Sequence, residues 1–349
     1  MKGFFKRLFE WERWPYDIMY APVSIAWLYY AVKARALWFF TPVNPSLQFA
    51  GFEGNSKKEM YQQLPKWCLP ETLYIENTTS LDEVKNELKK VELNFPIIAK
   101  PDRGMQGVLF RVIKDETGLQ QYHASIGDTY ILQAFVQLPM EFSVFHIRYP
   151  GKTRGIITGM VAKNYLHVTG DGRKTIRELV SIHPLAKYQL EEMKRKHAEK
   201  WESVPATNED YVLNYAGNHR VGARFINMNK EIDQKLCDVF DKISNESGEF
   251  YFGRYDLKCT SLEDLKNGKN IKILEFNGAG AVPLHIFDGT LSYWRGLKET
   301  VRHWKHLYKI GMINNKRGIR YWTWKEGFAF LNNSKKNYKR MLAIDASLP

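Results

Sequence analysis

The sequence predicts an α+β fold, and three observations carry that prediction. Phe250–Cys259 (FYFGRYDLKC) and Ile271–Gly280 (IKILEFNGAG) are strand-like, and the polar stretch between them suits a hairpin connection with Gly268 near its end. Further strand-like runs, IIAK, VLFRVI, YILQAFV, EFSVFHIRY and RGIITGMVAK, are interspersed with helical patterns. Residues 290–349 read as a helical tail, basic and rich in Trp and Tyr.

The elements follow in order. Ile18–Val32 (IMYAPVSIAWLYYAV) is uncharged, includes Pro22, and is followed by Lys33 and Arg35. A bilayer span needs roughly 20 apolar residues. The Trp and Tyr density of residues 1–40 suits a membrane interface, so this segment reads as an interfacial helical anchor. A helix packed on the main domain is the alternative, and a signal peptide is a third. Residues 41–66 read as loop and short helix, with TPVNP as a breaker. Ser80–Val91 carries Leu81, Val84, Leu88 and Val91 at helical spacing, with Ser80 as N-cap.

After Pro96, IIAK forms a strand ending at Lys100, which Pro101 holds extended. RGMQG is a turn with Gly104 and Gly107, and VLFRVI continues as a strand. Tyr130–Val136 is the next strand. EFSVFHIRY and RGIITGMVAK form a hairpin around Pro150 and Gly151, closing near Lys163. VTGDGRKTIRELV is a Gly-Asp-Gly turn opening into a helix. Lys187–Val204 reads as one long charged helix.

Composition bounds the function. The chain has 349 residues, 44% of them hydrophobic, so a packed core is expected and disorder is not. The net charge of +13 favours an anionic partner: nucleic acid, an acidic membrane or a phosphorylated substrate. No nucleic-acid module or repeated basic–aromatic pattern accompanies it, so nucleic acid is set aside. Cys68, Cys237 and Cys259 have no metal-ligand spacing and fit a reducing compartment.

On a strand, residues two apart share a face, so Arg254 sides with Asp256, and Glu275 with Asn277. If the strands pair, two carboxylates, an amide oxygen and a guanidinium share one surface. Such oxygen donors suit Mg²⁺ together with water and phosphate oxygens. A solvated edge strand is the plain alternative. Its weakness is the apolar context of ILEF and FYFG, because a buried carboxylate is costly unless paired or metal-bound.

Five elements in this order, FPIIAKPDRGMQG, ILQAFVQLPMEFSV, VTGDGRKTIRELV, GRYDLK and ILEFNGAG, resemble the ATP-grasp superfamily. Within it they are most similar to the D-alanine–D-alanine ligase-like carboxylate–amine ligases. The resemblance implies an ATP-grasp fold of two α/β subdomains clamping ATP. It implies a bacterial ligase that uses ATP and one or two Mg²⁺ ions through an acyl-phosphate. Lys100 and Lys163 would meet the phosphates, beside the Gly104 and Gly107 loop. Gln133, Ala134 and Val136 would be the hinge facing adenine, and Glu141 would bind ribose. Asp256, Glu275 and Asn277 would hold the metal, and Arg254 would stabilise the transferring phosphoryl group. Asn218, His219 and Arg220 look like the loop facing the acceptor, with Arg220 as a second catalytic arginine.

Gln133 stands where many relatives have Glu, and the usual N-terminal substrate domain is not visible. The segments are then 1–43 as membrane-interface anchor, 44–95 as a short leading region, 96–289 as the catalytic domain and 290–349 as the tail. The expected function is a ligase at the cytoplasmic face of the cell membrane, peripheral or monotopic, acting on small or lipid-linked carboxylate and amine substrates. A kinase-like phosphotransferase and a non-catalytic nucleotide-binding protein are the alternatives. The oligomeric state stays open, a dimer among the options.

Overall fold

The computed structural model describes residues 11, 14, 16–105, 107–214 and 222–348. The chain opens with α1 (Tyr16–Tyr20), a 3₁₀ turn at Pro22 and α2 (Ser24–Ala34). α3 (Lys57–Gln63), β1 (Thr72–Ile75) and α4 (Leu81–Lys90) follow. Ser80 and Glu83 close a capping box at the start of α4, and Val84 and Leu88 are its buried face, as the spacing predicts. Next come β2 (Ile97–Pro101), β3 (Arg111–Ile113), α5 (Glu116–Ile126), β4 (Tyr130–Ala134), β5 (Met140–Arg148) and β6 (Gly155–Asn164). Then come β7 (Leu166–Thr169), α6 (Ile176–Ile182), α7 (Leu190–Lys196), β8 (Asp210–Asn214) and β9 (Arg224–Asn227). The chain continues with α8 (Gln234–Glu246), β10 (Phe252–Cys259), α9 (Leu262–Lys266), β11 (Ile271–Asn277), α10 (Tyr293–Lys316) and α11 (Trp324–Ser347). The fold is α+β.

Several strands are trimmed at their ends, β4 stopping at Ala134 instead of Val136, and two expected elements depart further from the sequence reading. Val108–Phe110 is turn, with Leu109 at φ 59°, so β3 starts only at Arg111. The long helix expected over 187–204 is the seven-residue α7 flanked by 3₁₀ turns. It stops where the His197 ring bonds the Tyr211 hydroxyl and the Leu213 carbonyl (both 2.9 Å).

The chain divides into a larger unit, residues 1–161 and 228–349, and a smaller one, residues 162–227. The larger unit holds an antiparallel sheet in the order β1-β4-β2-β3. Its core joins Ile97, Ala99, Tyr130 and Leu132 to Val84, Leu88, Leu119 and Tyr122, and to Met341 of α11. A second sheet runs β11-β10-β5-β6. Phe145, Ile147 and Phe252 of that sheet pack with Tyr30, Phe39, Phe40, Val43 and Phe49 and with Leu307 and Ile310 of α10. Residues on both sides of position 43 therefore share one core.

Asn44 stitches this segment to β10. It donates to the Phe252 carbonyl (2.9 Å) and accepts from the amides of Tyr251 and Phe252. The next loop places Phe49, Ala50 and Gly51 at positive φ. That costly conformation brings the chain against Gly278, where a Cβ on Gly51 would lie 2.9 Å from the Gly278 Cα. The backbone amide of Ala279 donates to the Ala50 carbonyl at 2.9 Å.

In the smaller unit β7 pairs antiparallel with β8, and Val168, Ile176, Val180, Met193, Trp201 and Leu213 form its core. Thr175 and Glu178 cap α6 reciprocally.

Candidate nucleotide and metal site

The β10–β11 hairpin sets the centre of the site. Their register places Arg254 opposite Asn277 and Asp256 opposite Glu275. The four side chains thus share one face because of alternation along each strand and pairing across them. Asp256 is buried, and side chains of its own strand and of both neighbouring strands hold its carboxylate. Arg254 forms a two-pronged pair with it, Nε to Oδ1 at 2.9 Å and Nη2 to Oδ2 at 3.0 Å. The Ser143 hydroxyl donates from β5, and the Asn277 amide donates to Oδ2 at 3.3 Å. The same Asn277 nitrogen reaches Glu275 Oε2 at 3.4 Å.

A single NH₂ group thus bridges two carboxylates, the place a cation takes in an oxygen-ligand site. Rotating that amide would present its oxygen instead, giving three oxygen donors. The donor set fits Mg²⁺ completed by water and phosphate. Among the described residues no group of three or more His, Cys, Asp and Glu side chains is placed to hold a metal by itself.

A bulge shapes the other edge. Between Asp256/Glu275 and Leu257/Ile273 the register slips by one residue, leaving Leu274 unpaired with β10. Its carbonyl accepts from the Tyr61 hydroxyl of α3 and from Lys100 Nζ (3.4 Å). Lys100, at the end of β2, also donates to the Tyr61 oxygen (2.9 Å) and to Gln133 Oε1 (3.0 Å). Burial lowers the Lys100 pKa to about 8, while the Glu275 carboxylate acts in the opposite sense.

Lys57, at the first turn of α3, donates to the carbonyls of Asp102 (3.4 Å) and Gly104 (3.2 Å). Burial lowers its pKa as well; Glu275 and Asp102 raise it and Lys100 lowers it. Two lysines therefore lie within electrostatic reach of one carboxylate, next to the glycine turn.

The expected hinge also has an anchor. Gln133 is buried on β4 and donates to Thr72 (2.8 Å). Ala134 ends that strand, and the Val136 carbonyl accepts from Lys258 Nζ at 3.1 Å. Glu141 is buried on β5 directly opposite Lys258. Burial lowers the Lys258 pKa and Glu141 opposes that shift.

Gly104 and Gly107 occupy the turn after β2, Gly107 at φ 77°. Lys163 is buried near the end of β6, in the smaller unit. Asn218, His219 and Arg220 lie outside the described residues.

Sequence reasoning missed Lys57, Tyr61, Ser143 and Lys258. Lys258 had a signal, since it continues the Arg254, Asp256 alternation by one more step. Lys57 and Tyr61 reach the site only through tertiary contacts with residues distant in the chain.

No family model matches the chain, and no curated protein matches it. Among solved structures it is similar to a bifunctional glutathione synthetase from Pasteurella multocida, with 17% identity and a TM-score of 0.37. That likeness covers 71% of this chain and 35% of the synthetase, so the chain spans about a third of that protein's length. It is also similar to D-alanine–D-alanine ligase from Bacillus anthracis, with 13% identity, a TM-score of 0.40, and coverage of 73% of this chain and 68% of the ligase. The same ligase complexed with ATP matches at 10% identity and a TM-score of 0.40, over 78% of this chain and 70% of the ligase. These solved structures are ATP-grasp enzymes. At such identities and TM-scores the likeness carries no argument about activity.

Proposed function

We propose that the chain is an ATP-grasp ligase that joins a carboxylate to an amine through an acyl-phosphate. The observation that supports this most is the hairpin face of Arg254, Asp256, Glu275 and Asn277 with Lys57 and Lys100 in electrostatic reach of Glu275. Anionic phosphates need cations on one side and a metal-holding carboxylate pair on the other, and this face supplies both.

The substrate carboxylate attacks the γ-phosphorus of ATP, the bond to the bridging oxygen breaks, and ADP leaves. The amine then attacks the acyl carbon, loses a proton, and inorganic phosphate departs. Bound Mg²⁺ would neutralise charge on the phosphates. Lys100 and Lys57 offset phosphate charge from the β2 and α3 side. Arg254 is fixed by its pair with Asp256 and by Nη1 donating to the Val282 carbonyl (3.1 Å), which would hold the guanidinium in place beside the phosphoryl group. Lys163 and Arg220 are further candidates for phosphate and acceptor contacts. Gln133, Ala134 and Val136 would face adenine, and Glu141 the ribose, held in place by Lys258.

The substrates are small or lipid-linked carboxylates and amines. The reaction belongs in the cytoplasm, where ATP is available, at the inner face of the cell membrane. The test is a screen of carboxylates and amines for stimulated ADP release, run with and without hydroxylamine. A hydroxamate product supports the ligase. A stable phosphorylated product would instead make it a phosphotransferase, and absence of both with bound ATP would make it a nucleotide-binding protein without turnover.

A further inference from the structure

We propose that the outer surface formed by α2 and α10 docks flat on an anionic lipid surface. This extends the membrane placement above but is independent of the ATP chemistry. The two helices run side by side in the same direction. Tyr293 donates to the Met19 carbonyl (2.9 Å), Trp27 packs edge-on to Trp304 (5.1 Å between centroids), and Tyr30 stacks on Tyr308 (5.1 Å). The inner face of α2 and the turn before it is satisfied, with Val23, Tyr30 and Ala31 buried and Trp27 against Phe39 and Phe40.

The outer face is also apolar. Ile25 is 75% exposed and Val32 69%, and Ile18, Leu28 and Tyr29 are exposed beside them. A helix that is apolar all round and buried on one side only leaves a patch of the kind that marks an interaction site.

What covers it is indicated by α10. Arg295, Lys298, Arg302, Lys305, Lys309 and Lys316 are all exposed, and their spacing puts them in one stripe along the helix. Trp294, 70% exposed, stands at the head of that stripe. The only acidic residue of α10, Glu299, turns Oε1 inward, 3.6 Å from His303 and 3.9 Å from His285, while its Oε2 lies 3.7 Å from Arg302 and offsets that one charge of the stripe. Ser24–Ala34 has no acidic residue.

Lys33 bridges the two surfaces, with Nζ 3.3 Å from the Tyr29 hydroxyl and 5.6 Å from the Tyr308 ring. An apolar ridge beside a cationic ridge matches the acyl boundary and the anionic headgroups of a leaflet. A second copy is a poorer match, because a two-fold contact would set the cationic stripe against itself. Among the described residues no helix is long and apolar enough to cross a membrane, so the contact is interfacial.

The test is flotation of the full chain, without nucleotide, with phosphatidylcholine vesicles and with vesicles of phosphatidylcholine and phosphatidylglycerol in equal parts. The protein is expected to float with the anionic vesicles and to lose binding as salt rises. Ile25→Glu with Leu28→Glu, and separately Lys298→Glu with Lys305→Glu, should each lower vesicle affinity on the order of tenfold or more. All four positions are exposed, so circular dichroism should match the wild type. Wild-type protein that stays at the bottom with anionic vesicles overturns the proposal, as do variants that float like wild type. A non-floating dimer split by Ile25→Glu would assign the face to a second copy. Flotation without substrate-stimulated ADP release would leave the docking surface standing and count against the ligase reading alone.

Discussion

Two of the polar clusters buried in the larger unit treat charge differently. On the β10–β11 hairpin, Asp256 is held as an ion by Arg254, and Glu275 opposes the pKa lowering of both Lys57 and Lys100. On the inner face of α10, His303 and the neighbouring His285 are buried, and although the Glu299 carboxylate lies 3.6 Å and 3.9 Å from them, burial dominates and lowers their pKa values to about 3 and about 4. His303 bonds the Glu299 carbonyl through Nδ1 and the Thr158 hydroxyl through Nε2, both at 2.8 Å. A carbonyl can only accept, so Nδ1 carries the proton and Nε2 accepts from Thr158. His285 fits its space because residue 159 is glycine; a Cβ there would lie 2.1 Å from His285 Nδ1. The first cluster gathers charge for use by a ligand, and the second is a neutral part of the core.

That contrast can be broken most sharply at Glu275. Glu275→Gln should leave the fold intact and cut turnover by roughly a hundredfold or more, the size of a lost metal contact of about 3 kcal/mol. Steady-state ADP release measures it, and wild-type activity would remove Glu275 from the metal site.

Lys100→Ala should weaken ATP binding by about 2 kcal/mol, roughly thirtyfold, as for a lost charge-assisted contact. Calorimetry reads this directly.

The low pKa of Lys100 gives a third outcome. With the free-protein value at about 8, the ammonium is present below that pH and lost above it. ATP phosphates favour the charged form, so affinity should fall above pH 8, by at most about tenfold per pH unit, and Lys100→Arg should flatten the profile. The sign for stability is opposite. The folded pKa lies below the unfolded value, so the cost of burying the charge is full below pH 8 and is relieved as pH rises toward 10.5.

The histidine cluster should behave as core. His303→Gln should lower stability by about 1–3 kcal/mol for a disturbed buried hydrogen-bond pair and leave ATP affinity unchanged. Because both histidines have folded pKa values below 6.5, their contribution is intact above pH 6.5 and is lost as pH falls toward 4. Thermal melts across that range check it.

The hairpin was legible in the sequence because alternation alone fixes which side chains share a face, and register then follows from pairing. Lys100 was legible for the same local reason, as the polar end of an apolar strand before a glycine turn. Lys57 and Tyr61 were not. Tyr61 meets the carbonyl of Leu274, a group freed by a bulge that no residue pattern announces. The strand expected at Val108 failed to a left-handed Leu109, and the helix expected over 187–204 was cut by side-chain bonds of His197. The apolar N-terminal run showed that a helix was needed, but one pattern served both a packed inner face and an exposed outer one.

Titration of the intact protein with ATP, with and without Mg²⁺, alongside Glu275→Gln and Asp256→Asn, tests the central claim most directly. Tight binding that needs Mg²⁺ in the wild type, and loses its Mg²⁺ dependence in both variants, is the predicted result. No ATP binding by the wild type, or identical Mg²⁺ dependence in all three proteins, would contradict it.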